Sequence, residues 1–380
     1  MSTRAGIAMR SVAIVVVALG AGYGLFRIIR WLVDLLWTEL PSNTFGGEVP
    51  WWYLLSLPAL AGLVVAWSRS RGADGHNPLF GFSRDPVRPG QFPWVVLNIL
   101  ASLAGGLVLG PEMALVATGS VVGVIFARGG DARAITRASG LGSLAALAAL
   151  AVDPLRTGHL DFSAGYSFDP LDLLPAVVAA VVAVLLIAGA RAGAIAMLRL
   201  RGGDRPIWWQ LALGGLVVGA LALGYQALTG KPVDLVLTSG EQLIGPMVAL
   251  ESVSLIALTV VVKLLCYVVS QGSGFRGGPY FPVMFAGAGV GAIAGLLTTG
   301  SAQAPGIAGL LATTLFLAKP PWIAVFVLAL VVGVVFGGVA MLPAAVVGAV
   351  VGKLIPRIGE SSEPVRTPPE PAQSPPTGTR

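Results

Sequence analysis

Two glycine-proline steps, Gly110-Pro111 and Gly278-Pro279, each lead into an apolar stretch in which glycines recur at matching intervals. Gly119 and Gly123 follow the first, and Gly287 and Gly291 follow the second at the same spacings. Proline at the start of a helix loses no needed N–H and already has helical φ, so each step predicts a helix N-terminus. Such an end carries unpaired backbone N–H groups and about half a positive charge, which attracts an anion without a full cation. Glu112 follows the first step and is the only ionisable residue between Phe92 and Phe126. A charge at bilayer depth costs roughly 2.5–3.5 kcal/mol, so a retained one implies a polar path or a partner. A carboxylate there can occupy the place of a permeating anion and withdraw when protonated. The alternative is a carboxylate that merely caps its own helix.

The elements that position these groups are membrane helices. Residues are 55% hydrophobic and 11% charged, which excludes a soluble domain of ordinary composition. Apolar runs near residues 8–38, 52–67, 92–127, 135–152, 172–198, 207–228, 243–270, 279–299, 304–317 and 322–356 predict a polytopic all-α membrane protein. The helix from Met113 to Phe126 would be about 21 Å long, against a hydrocarbon core of about 30 Å, and so should begin near mid-membrane. The helix after Gly278-Pro279 is expected to be short in the same way. A pattern repeated at half-length predicts an internally duplicated protein, with halves of about 8–200 and 207–356 within one transmembrane domain, 1–357.

The net charge of +6 sits mainly in loops and at span ends, and so reports topology rather than nucleic-acid binding. Arg4 and Arg10 precede the first span, and Arg69, Arg71, Arg84 and Arg88 follow the second. The N-terminus and the 68–91 loop are therefore expected in the cytoplasm, with the chain multi-pass in the cell membrane. The lone Cys266 allows no internal disulfide, and no metal or cofactor is expected. Residues 358–380 are proline-rich and are expected to be a disordered tail.

Two motifs carry a family resemblance. Gly106-Leu-Val-Leu-Gly-Pro-Glu-Met-Ala-Leu115 resembles the Gly-Arg-Glu-Gly-Pro region of the chloride channel and transporter (CLC) family. Gly272-Ser-Gly-Phe-Arg-Gly-Gly-Pro-Tyr-Phe-Pro282 resembles that family's Gly-Ser-Gly-x-x-Gly-Gly-x-Phe-x-Pro region, in the style of a divergent actinobacterial member. The resemblance implies a CLC-like inverted-repeat fold with re-entrant and half-spanning helices, assembled as a homodimer in the lipid bilayer. It implies transport of chloride or a similar small anion, with Glu112 at the place of the gating glutamate. Gly110, Met113, Gly278, Tyr280 and Phe281 then surround the anion, the N–H groups of Met113, Tyr280 and Phe281 serving as donors.

The chain also departs from the family pattern. Pro279 replaces a residue whose N–H is a donor in the family. The family's earlier serine motif aligns with Asp74-Gly75-His76-Asn77-Pro78, which puts Gly75 at the serine and leaves His76 or Asn77 as weak candidates. The last tyrosine is Tyr280, so the late pore tyrosine is missing. No Glu occurs from Met113 to Gly240, where proton-coupled relatives carry an internal glutamate. Lys263 and Arg276 are weak candidates for drawing anions inward by long-range attraction, with a snorkelling side chain as the alternative for Lys263.

These features favour a passive, Glu112-gated anion channel, with proton-coupled chloride or fluoride exchange as the alternative. A membrane-embedded hydrolase would need a base near a nucleophile such as Ser273, yet both histidines, His76 and His159, fall in expected loops. A purely structural role leaves the paired motifs without a purpose.

Overall fold

The computed structural model describes residues 3–71, 77, 79, 85–152, 166–250 and 252–356. Among them run twelve helices of thirteen residues or more. They are α1 (Thr3–Asp34), α2 (Trp51–Arg69), α3 (Phe92–Ala104), α4 (Glu112–Phe126), α5 (Ala132–Leu147) and α6 (Leu173–Leu200), followed by α7 (Trp208–Thr229), α8 (Val253–Gly272), α9 (Tyr280–Thr298), α10 (Gln303–Ala318), α11 (Trp322–Gly337) and α12 (Leu342–Leu354). Among the described residues seven helical runs are long and apolar enough to cross a membrane, and α3, α4 and α10 are among the shorter apolar helices. The protein is an all-α polytopic membrane protein.

Small residues set how closely these helices approach. A Cβ on Gly215 or Gly219 would lie 2.1 or 2.0 Å from the carbonyl oxygen of Pro58 or Leu54, so α2 and α7 touch backbone to backbone. The same device appears twice at matching motif positions. Gly119 and Gly123 of α4 lie against Gly142 and Ala138 of α5, while Gly287 and Gly291 of α9 lie against Gly309 and Pro305 of α10. The repeated spacing in the sequence is thus a repeated helix–helix contact.

One expectation needs correction. α4 has 15 residues and is short as expected, but α9 has 19 and is long enough to span. Its apolar sequence runs on unbroken to Thr298, and Gly295 lets the returning chain at Ser301 pack against it.

The helices also fix two ends. Tyr53, near the start of α2, donates its hydroxyl to the Leu36 carbonyl just beyond α1 (2.7 Å), so those termini share one face. Arg69, at the far end of α2, bonds Gly274 (2.8 Å) and Asp204 (3.0 Å), which places the turns before α7 and after α8 at the opposite face.

Candidate functional site

The two glycine-proline steps meet. After α3 the chain turns at Gly106, which takes φ +78°, and Leu107, Val108 and Leu109 run fully buried toward Gly110. The Val108 N–H is fixed by the Ser270 hydroxyl of α8 (3.1 Å). Gly110 and Gly278 then exchange both backbone hydrogen bonds, at 2.6 and 2.5 Å, as an isolated antiparallel pair. Pro111 and Pro279 come next as the caps of α4 and α9, neither of which has a side-chain cap. The two helix starts therefore lie side by side in the interior.

Glu112 lies across that junction. Its side chain is 3% exposed, and Oε1 accepts the Phe281 N–H of α9 at 3.0 Å. Oε2 has no hydrogen-bond partner. Both glycines are needed for this pose, because a Cβ at Gly278 would lie 1.5 Å from Oε2 and one at Gly110 would lie 2.1 Å from it. The carboxylate thus reaches across to cap the helix of the other motif. Met113 is buried in the first turn of α4, where the Pro111 carbonyl accepts the Ala114 and Leu115 N–H groups. Tyr280 and Phe281 are half-buried at the start of α9. The structure brings Gly110, Glu112, Gly278 and Phe281 into direct contact, with Met113 and Tyr280 alongside.

Three weaker candidates take other roles. Arg276 is 2% exposed and makes an ion pair with Asp204 (2.8 Å), and its own N–H is held by the Ser102 hydroxyl (3.2 Å). It shares that carboxylate with Arg69, whose guanidinium lies 3.0 Å from it. Asn77 donates to the same Asp204 (3.0 Å) and accepts from the Leu79 N–H (3.0 Å), so both ends of its amide are engaged away from the junction. Lys263 is buried and does not snorkel. It is 1% exposed, donates to the carbonyls of Leu235 (3.2 Å) and Leu237 (2.8 Å), and sits 4.5 Å from the Phe285 ring centroid. Gly75 and His76 lie outside the described residues.

Sequence reasoning missed Asp204 and Glu241. Asp204 binds Arg69, Arg276 and Asn77 together in the turn between α6 and α7. Burial alone would raise its pKa, but the two guanidiniums outweigh burial and hold it down at about 2. A lone acid in a basic turn, Arg201-Gly-Gly-Asp-Arg205, was the available signal.

Comparison with known proteins adds an independent line. The profile of the family described as Voltage gated chloride channel matches residues 133–357. YfeO of Escherichia coli O1:K1 / APEC, named for ion transport, is 28% identical over 365 residues, covering 80% of this chain and 83% of its own length. YfeO of strain K12 / DH10B matches to the same extent. Among solved structures, a slow cyanobacterial Cl−/H+ antiporter has a TM-score of 0.70 at 16% identity, over 90% of this chain and 93% of its own. A CLC-type fluoride/proton antiporter has a TM-score of 0.67 at 16% identity, over 94% and 97%. At that identity the likeness is one of fold.

Proposed function

This chain belongs to the voltage gated chloride channel family, whose members are channels or transporters and not enzymes, and we propose that Glu112 gates its anion path. Anion transport follows from the membership. The finer reading is passive conduction of chloride or a similar small anion past the junction of α4 and α9. The single observation that supports it most is the Glu112 carboxylate accepting the Phe281 N–H at the start of the opposite helix.

The mechanism follows from competition for one place. Two helix N-termini converge there, and their partial positive charges and backbone N–H groups favour whichever anion is present. The ionised Glu112 is that anion when the path is closed. Protonation removes its charge, the Phe281 N–H loses a charged acceptor, and a mobile anion takes over the field of the helix ends. Met113 and Tyr280 supply first-turn N–H groups, and the half-buried Tyr280 ring borders the path. The protein acts as a homodimer in the lipid bilayer of the cell membrane, with the N-terminus and the Asp204 face cytoplasmic, in line with the Lys and Arg distribution.

Proton-coupled exchange is the second reading. The two solved structures of similar fold named above are Cl−/H+ and fluoride/proton antiporters. Against it stands the lack of any Glu between Met113 and Gly240.

The test is efflux of chloride, fluoride and nitrate from liposomes containing purified protein, with and without a proton gradient. Glu112→Gln should leave anion flux intact or faster and independent of pH. A folded variant with the wild-type pH response would remove Glu112 from the gate. Uphill proton movement driven by a chloride gradient would assign exchange in place of passive conduction.

A further inference from the structure

A cavity of about 130 Å³ opens between the end of α1 and the segment that joins α7 to α8, on the face opposite Asp204. Pro111, the residue before the gate glutamate, lines its floor, and Thr38, an exposed residue, lies at its rim. Its ionisable lining is Arg30, Asp34, Asp234 and Glu241, one guanidinium against three carboxyls. A buried carboxylate normally collects several donors, since each oxygen carries two lone pairs. Here the Oε2 of Glu241 and the Oδ1 of Asp234 are buried without a hydrogen-bond partner, as is the Oε2 of Glu112 beyond the floor.

The segment that carries Glu241 is held in place. The Thr238 N–H bonds the Gly106 carbonyl (3.0 Å), with Thr238 itself at φ +56°, and Lys263 clamps the Leu235 and Leu237 carbonyls from below. Gly240, with φ +78°, packs on the Lys263 stem, because a Cβ there would lie 2.8 Å from its Cε. The charged groups that act on Glu241 are Arg30 and Asp34 of α1 and Glu112 of α4. Asp234 lies in its own segment and is itself faced by Lys263, while Glu39 and Arg27 act on Asp34. Arg30 is stacked over Phe26 and reaches the Gln242 side chain, whose amide oxygen turns to accept from it.

We propose that this cavity is the mouth of the anion path on the face opposite Asp204, and that Glu241 is a second proton-binding carboxyl whose charge sets the pH at which the Glu112 gate opens. The proposal rests on the reading of Glu112 as the gate. When all four groups are ionised the mouth is net negative and repels an incoming anion. A proton on Glu241 removes part of that repulsion. An ionised Glu241 also disfavours a second negative charge at Glu112, so it promotes protonation of the gate. Glu241 is a positioning residue in this scheme: it acts on the gate through its charge and does not touch the junction.

The experiment measures chloride efflux from liposomes against the pH on the Thr38 side. Glu241→Gln should move the half-activation pH to the acid side by about half a unit or more. A second arm leaves Glu241 in place. Thr38→Cys, in a chain whose one native cysteine is buried, accepts charged thiol reagents at the rim. A trimethylammonium adduct should move the midpoint to the acid side, and a sulfonate adduct to the alkaline side. Midpoints within about 0.1 unit of wild type in both arms, with Glu112→Gln still abolishing the pH response, would overturn this proposal and leave the gate standing. A wild-type pH response in Glu112→Gln would instead overturn the gate. If Glu241→Gln does not fold, Glu241→Ala takes its place, and a midpoint within about 0.1 unit of wild type there overturns the assignment to Glu241.

Discussion

Replacing Asp204 by asparagine removes the one carboxylate among three guanidiniums. Arg276 and Arg69 reach it at 2.8 and 3.0 Å, and Arg201 is close enough that burial, and then the charge of Arg69, press its own pKa down to about 10. The size of the effect can be worked from the carboxyl itself. Its pKa falls from 3.8 to about 2, and one unit corresponds to about 1.36 kcal/mol, so its ionisation contributes about 2 kcal/mol at neutral pH. The Asp204 side chain is 19% exposed, which leaves little solvent screening to discount. The substitution does more than cancel this contribution, because it strands the arginines. Breaking a fully buried pair costs about 3–5 kcal/mol, and the partial exposure here places the loss near 2–3 kcal/mol. At about 1.4 kcal/mol per factor of ten, the unfolding equilibrium should shift by roughly thirtyfold to a hundredfold.

Titration with SDS in mixed micelles, followed by tryptophan fluorescence, would read that loss. The pH dependence has a definite sign. The folded pKa lies below the unfolded one, so the stabilisation is complete above about pH 4, declines as pH falls toward about 2, and is gone below. Asp204→Asn should lose this acid-range decline together with its stability. Adding Arg276→Gln to Asp204→Asn should cost much less than Arg276→Gln costs alone, since one charge to be stranded is gone. Strictly additive losses, or an Asp204→Asn protein within about 0.5 kcal/mol of wild type, would refute the reasoning.

Three further outcomes are expected. Gly278→Ala puts a methyl where the Glu112 Oε2 lies, so the carboxylate must leave the Phe281 N–H, and efflux measured at pH 5 and pH 7.5 should differ far less than in wild type. Gly119→Ala and Gly287→Ala should each cost about 1–3 kcal/mol in the SDS titration, because their Cβ would lie 2.0 and 2.4 Å from opposing carbonyl oxygens. Gly140→Ala, with nothing within 4 Å, should be neutral or stabilising by up to about 1 kcal/mol; equal losses at all three would mean that close approach is not what they serve. Lys263→Met leaves the buried Leu235 and Leu237 carbonyls without their donor and should destabilise by about 1–3 kcal/mol for each, and a variant as resistant to SDS as wild type would dismiss the clamp.

The parts legible in the sequence were those written as spacing. The Gly119/Gly123 and Gly287/Gly291 pairs, the proline caps and the shortness of α4 all follow from residue type at fixed intervals, and the structure turns them into helix contacts and helix starts. The length of α9 was not legible, because an apolar run does not mark the depth at which its first turn begins. The partners of the isolated cations were hidden for another reason. Lys263 binds backbone carbonyls, which every residue carries, and Arg276 binds an aspartate 72 positions away in a turn without periodicity. Glu241 was obscured in the same way, since its meaning comes from a cavity assembled by α1 and by a segment far along the chain.

Glu112 shows where local reading ends and topology begins. From sequence alone, a glutamate in the first turn of a helix has a cap for that helix as the alternative to a gate. The structure places its acceptor oxygen on the Phe281 N–H, 169 positions away, at the start of the other motif's helix. A carboxylate shared across the Gly110–Gly278 pair makes its charge state a term in the contact between α4 and α9. Protonating Glu112 therefore weakens one bond between the motifs, since the Phe281 N–H loses a charged acceptor.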